Sequence, residues 1–131
     1  MNIVTACDSG FYHCLKELAC SVRKFYDRPL IVYDIGLTDA QVTELDAVTH
    51  KIDIDEDVDH RGQSYLSPEG TPSTRATHKP FCVKHYFENY SEPMIFVDSD
   101  CLFTQRVEEI GFDLGVTYTP HKKKDIIYLE F

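Results

Sequence analysis

Two carboxylates one residue apart, Asp98 and Asp100, follow directly on the apolar run Met94-Ile95-Phe96-Val97. Such an uninterrupted run predicts a strand buried on both faces, the habit of parallel sheets. Side chains alternate along an extended chain, so Asp98 and Asp100 are expected to project to one side where the strand leaves the sheet. Open α/β sheets bind ligands outside the carboxyl ends of their strands. Two hard oxygen ligands at such a place suit Mg²⁺ or Mn²⁺, which take further ligands from water and phosphate. The chemistry to expect is a metal–diphosphate site, with Ser99 between the two ligands.

Other stretches are placed to serve the same edge. Asn2 to Ala6 is a short strand centred on Ile3 and Val4, ending in the small, polar Thr5-Ala6-Cys7-Asp8-Ser9-Gly10. Phe11, Leu15, Leu18, Val22 and Phe25 then fall at helical spacing, with Asp8 or Ser9 suited to cap that helix. A helix N-terminus facing the ligand edge offers N–H groups and partial positive charge to an anion. Gly10 stands without the two further glycines of a dinucleotide fingerprint. Leu30-Ile31-Val32-Tyr33 forms a second buried strand finishing at Asp34. Thr38 to Gln41 is a capping box opening a second helix, with Val42, Leu45 and Val48 as its inner face. Lys51-Ile52-Asp53-Ile54 alternates as a third strand toward one edge. Strand and helix in strict alternation predict a doubly wound α/β domain.

His78-Lys79-Pro80 opens a third helix, with Pro80 at its first position and Val83, Tyr86, Phe87 and Tyr90 as its buried stripe. A cation at a helix N-terminus opposes the helix dipole, so Lys79 is better explained by an anion nearby. Arg75, in the preceding loop, is a weaker candidate for the same work. Residues 55–78 lack a clear period and are expected to form a flexible loop. Its acidic group fails as a calcium loop, because counting from Asp57 puts Pro68 where a bidentate Glu is required. Beyond Asp100, a helical turn is expected from Val107 to Ile110 and a strand over Leu114–Tyr118. Pro120 to Asp125 is a basic loop, and a final strand begins at Ile126. That half-built last strand suggests a truncated chain, or an edge open to self-association.

The bulk numbers exclude several classes. The 131 residues suit one domain with a real core, and 43% hydrophobic with 27% charged residues is ordinary for a globular protein. A net charge of -9 argues against nucleic acid as a partner. It also means that an anionic diphosphate needs local help from a cation. No apolar run of about 18 residues is present, so no membrane span is expected, and the N-terminus lacks a signal-peptide pattern. Five cysteines without a Cys-x-x-Cys pair point to reduced thiols in a cytoplasmic protein and away from zinc.

Together these features resemble the GT-A glycosyltransferases, the nucleotide-diphospho-sugar transferase superfamily, in their amino-terminal, nucleotide-binding part. The most specific match is Ile95-Phe96-Val97-Asp98-Ser99-Asp100, a hydrophobic run with a DxD motif. The resemblance implies a Rossmann-like three-layer α/β/α fold with a mainly parallel sheet. It implies a hexosyltransferase, or its donor-binding portion, taking a nucleotide-sugar donor, frequently a UDP-sugar, to an unknown acceptor hydroxyl. It further implies that Asp100 binds Mn²⁺ or Mg²⁺ directly while Asp98 shares metal and ribose contacts. The end of the first strand, Thr5, Ala6, Cys7 and Asp8, would hold base and ribose, and Asp34 would face the base. In the family the acceptor site, any catalytic base and a further metal ligand come from the carboxyl-terminal part, so no catalytic base is assigned here and His121 is not taken as a ligand. The alternative is a non-catalytic binding or interaction module on the same fold. A nucleotidyltransferase is disfavoured by the lack of a Gly-rich, basic loop after the first strand.

Overall fold

A computed structural model describes residues 1–52 and 78–107. Its centre is β1 (Asn2–Cys7), in which every residue is buried. β1 lies between β2 (Ile31–Asp34) and β4 (Met94–Phe96), and β3 (Val48–Lys51) flanks β2. The four strands run parallel in the order β3-β2-β1-β4, with Val4 opposite both Ile31 and Phe96. Two β-branched or small residues point each way along β1. Ile3 and Cys7 enter one core cluster, and Val4 and Ala6 enter the other.

Three helices cover this sheet. α1 (Tyr12–Phe25) places Leu15, Leu18 and Val22 against Ile3, Cys7 and Val32. α2 (Asp39–Glu44) lies beside it, tied by ion pairs from Lys16 to Glu44 at 3.2 Å and from Arg23 to Asp46 just beyond the helix. α3 (His78–Asn89) covers the opposite face, where Cys82 and Tyr86 pack on Val4, Ala6, Ile31 and Tyr33. The described residues are therefore an α/β layered unit on an all-parallel sheet. The strand order reverses direction at β1, because β2 and β3 build outward on one side and β4 returns to the other. Such a switch point opens a crevice between the two outgoing loops, and ligands of open α/β sheets bind there.

Several boundaries differ from the sequence expectations, each for a local reason. The third strand is Val48–Lys51, not Lys51–Ile54, and Val48 belongs to it instead of to the helix before it. Its register is set by β2, through Val48 N–H donating to Leu30 O at 2.9 Å. α2 ends at Glu44, and Leu45 leaves it in extended conformation while remaining in the core. The capping box does form: Thr38 Oγ1 accepts from Gln41 N, and Gln41 Oε1 accepts from Thr38 N at 2.9 Å. Asp8 caps a single 3-10 turn, Ser9–Phe11, and α1 begins only at Tyr12. That short turn rotates Phe11 out of the apolar stripe, leaving it 50% exposed. Pro80 is the third residue of α3, where the first-turn N–H it lacks has no helical partner to lose. Phe87 is exposed, because the face turned to the sheet is the one carrying Cys82 and Tyr86. β4 is half-buried, consistent with its place at the end of the four described strands. The expectations for residues 53–77, including Arg75, and for residues 108–131 lie outside the described residues.

Leu18 is fully buried between α1 and the sheet. Leu18→Ala is expected to cost about 2–5 kcal/mol through lost burial and a residual cavity. Thr38→Ala should cost about 1 kcal/mol through the lost cap. Urea denaturation midpoints measure both, and a reversed ranking would contradict the packing described.

Candidate functional site

The crevice at the strand-order switch is an open pocket of about 210 Å³. β1 delivers Ala6 and Cys7 to its floor and Asp8 just beyond. Next door, Val97 N–H donates to Val4 O at 2.9 Å, continuing the pairing of β4 by one residue. The chain then turns, and Cys101 N–H donates to Asp98 O at 3.0 Å. Asp98, Ser99 and Asp100 thus enter the pocket from a tight turn, not from an extended strand. The strand stops early because Asp and Ser favour turns that their side chains support. Ser99 is buried, while the Cys7 thiol donates to Asp8 O at 3.2 Å, so the end of β1 is tied to its own outgoing loop. Burial pushes the Cys7 thiol above its ordinary pKa, so at neutral pH it stays protonated.

A second loop braces the first. Ile35 N–H donates to Cys7 O at 3.1 Å, and Ser9 N–H donates to Gly36 O at 2.9 Å. Gly36 has φ +138°, a conformation that L side chains rarely adopt, and a Cβ there would meet the Asp8 Cβ at 3.4 Å. Asp8 itself is buried, with Oδ1 accepting from Gly10 N at 2.8 Å. The Asp8 backbone is therefore held from both sides while its carboxylate lines the pocket.

The electrostatic balance is uneven. Asp8, Asp98 and Asp100 supply three carboxylates, and Lys79 from the first turn of α3 supplies one ammonium. Lys79 is ion-paired with Asp98 Oδ1, and the two side chains are 44% and 57% exposed. A pair so open to water contributes only about 0–1 kcal/mol, so a ligand can separate its partners at small cost. Among the described residues, no group of three or more His, Cys, Asp or Glu is positioned to hold a metal ion unaided. Asp98 and Asp100 form a two-carboxylate wall, the donor set with which Mg²⁺ uses water and phosphate oxygens to complete its shell.

The structure brings together Ala6, Cys7, Asp8, Lys79, Asp98, Ser99 and Asp100. It does not bring Thr5 or Asp34 to the pocket. Thr5 is wholly buried within β1, on the strand face shared with Ile3 and Cys7. Asp34 Oδ1 accepts from Gly36 N at 2.9 Å and from Leu37 N at 2.6 Å, shaping its own turn. Phe11 and Ile35 complete the lining, and neither was singled out from sequence. Phe11 follows the helical period of α1, which hid its role. The signal against that period was Asp8-Ser9-Gly10, a turn-forming trio that displaces the residue after it. No protein-family model, curated protein or solved structure matches the chain.

Gly36→Ala is expected to cost about 1–3 kcal/mol, since alanine cannot hold that backbone without strain. Thermal unfolding measures it. Equal stability of the variant would show that the brace between the two loops is not set by Gly36.

Proposed function

We propose that the pocket binds the diphosphate of a nucleotide sugar together with a divalent cation, in a Rossmann-like domain of the GT-A glycosyltransferase type or its donor-binding portion. The observation that carries this reading is the charge set that the described residues bring to the switch point: the three carboxylates of Asp8, Asp98 and Asp100 and the weakly paired Lys79 around one crevice. An anion alone would be repelled by that set. A cation held by Asp98 and Asp100 reverses the balance and makes a diphosphate welcome. The residues fit Mg²⁺ or Mn²⁺ with two protein oxygens, leaving the remaining positions to water and phosphate.

In a glycosyl transfer the sugar–phosphate bond breaks and the diphosphate leaves with added negative charge. The cation, when bound, supplies Lewis-acid stabilisation of that charge. Lys79, released from Asp98, is placed to hydrogen-bond a phosphate oxygen from the α3 side. The floor formed by Ala6 and Cys7 is nearly closed to solvent and offers an apolar surface to the nucleoside. Asp8, its Oδ1 accepting from Gly10 N, lines the same crevice. UDP-hexose is the donor class the proposal favours.

Isothermal titration calorimetry with UDP and Mn²⁺ tests the site. Binding should require the metal and be abolished by Asp100→Ala. Lys79→Ala should weaken it about tenfold, the equivalent of roughly 1.4 kcal/mol for a lost charge-assisted bond. Absence of metal-dependent binding to any nucleoside diphosphate would overturn the proposal. Release of hexose from UDP-hexose, followed chromatographically, then separates an enzyme from a module that binds without turnover.

A further inference from the structure

On the sheet face covered by α3, away from the pocket, four aromatic side chains from distant parts of the chain meet. Tyr33 Oη on β2 pairs with His85 Nδ1 on α3 at 3.1 Å, and His50 Nε2 on β3 pairs with Tyr90 Oη at 2.6 Å. The His50 and His85 rings lie 5.5 Å apart between centroids, tilted by 50°, and Tyr33 lies 5.5 Å from each. Tyr90 in turn stacks on Tyr86 at 4.7 Å with the rings 7° apart. Both imidazoles are half-buried. The contact bridges β3, at one end of the described sheet, to the helix that covers β1.

Among the described residues, the surrounding titratable groups are Tyr33 from β2, and Cys82, Tyr86 and Tyr90 from α3 and the residue after it; β1 turns the uncharged Asn2, Val4 and Ala6 to this face. None of these balances an imidazolium charge. Burial raises Tyr33, Tyr86 and Cys82, the last to about 11, so all three stay neutral near pH 7. Within the cluster, then, the groups that can gain a positive charge are the two imidazoles. Two imidazolium ions in this contact repel, whichever way each tyrosine hydroxyl is hydrogen-bonded to its ring nitrogen.

We propose that His50 and His85 form a proton-sensitive clasp between β3 and α3, closed when both are neutral and forced open when both are charged. The consequence reaches the pocket through the helix itself. The first turn of α3 carries Lys79 to Asp98, so loosening α3 withdraws the ammonium from the site. The clasp stands on the ring contacts and does not depend on what the pocket binds.

The sign follows from the folded state. Burial first, and the facing His85 second, lower the pKa of His50 from its ordinary 6.5. Near that pH the unfolded chain therefore binds more protons than the folded one, so stability rises with pH. The clasp contributes fully above 6.5, and its contribution is lost as pH falls below 6.5 through the folded-state value.

Urea midpoints and hydrogen exchange of the α3 amides, measured on the full chain from about pH 7.5 to about pH 5, test the proposal. The midpoint should fall with acid, and the α3 amides should exchange about tenfold faster at the acid end after correction for intrinsic rates. His50→Gln should flatten both profiles, and His85→Gln should reduce their slope, because the burial of His50 remains when the facing imidazole is gone. His13→Gln, at an exposed position on α1, should leave them as they are. Unchanged profiles in both clasp variants would overturn the proposal. Should neither variant fold, a histidine NMR titration of the unaltered chain decides. Coupled titration with one midpoint below the ordinary value supports the clasp, and two independent midpoints at that value refute it.

Discussion

The constraint on which the structure depends is the double burial of β1. A six-residue strand covered on both faces and hydrogen-bonded on both edges has to be apolar or small throughout, and its N–H and C=O groups have to find partners in neighbouring strands. β2 and β4 supply those partners, α1 covers one face and α3 the other. Parallel pairing demands long crossovers, and these become the helices. Once β1 is central and its neighbours build outward in opposite senses, the crevice at its carboxyl end follows from topology. The pocket is thus a by-product of how β1 is buried, and side chains near the end of β1 inherit a ligand-facing position.

What fills that position is an unusual balance of charge and rigidity. Backbone hydrogen bonds from Ser9 and Ile35 hold the ends of β1 and β2 together, and Val97 N–H on Val4 O holds the approach to the turn after β4 to them. These bonds fix three loops without using the outward carboxylates of Asp98 and Asp100. The rigid part of the site is therefore backbone and small buried side chains, whereas its charged part is solvent-exposed and loosely paired. Such a division favours a ligand that brings its own counter-charge, because little internal pairing has to be broken before it binds.

The helix on the far face ties the pocket to the rest of the sheet. α3 supplies Lys79 at its start and His85 near its end, so one rigid element touches both the crevice and the aromatic–histidine cluster. Asn2 strengthens that link by donating from Nδ2 to Tyr86 Oη at 2.8 Å, and Tyr86 donates onward to Glu92 O at 2.9 Å. A buried tyrosine with both hydroxyl roles used is a strong positional anchor for the helix.

The sequence by itself determined the order of the described elements, the two buried strands β1 and β2, the Leu15–Leu18–Val22 stripe of α1 and the Thr38 capping box, because each is written in local period or local chemistry. Leu15, Leu18 and Val22 could be read as one face without knowing what they face. Asp98, Asp100, Lys79 and the Ala6–Asp8 strand end were legible as candidates because open α/β topology sends strand ends and helix starts to one edge. Only the tertiary structure decided the rest. The register of β3 is chosen by pairing with β2, which no local period records. The site carboxylates ride on a turn whose hydrogen bond forms across the Asp98–Cys101 peptide groups, and the approach to that turn is fixed by Val97 N–H on the carbonyl of Val4, a residue far away in the chain. Phe11 and Ile35 enter the lining through loop packing, and Thr5 and Asp34 leave it because burial and a local turn claim them first. The meeting of His50 with His85 is likewise invisible in sequence. It arises from a strand and a helix that share no local pattern and come together only when the sheet is built.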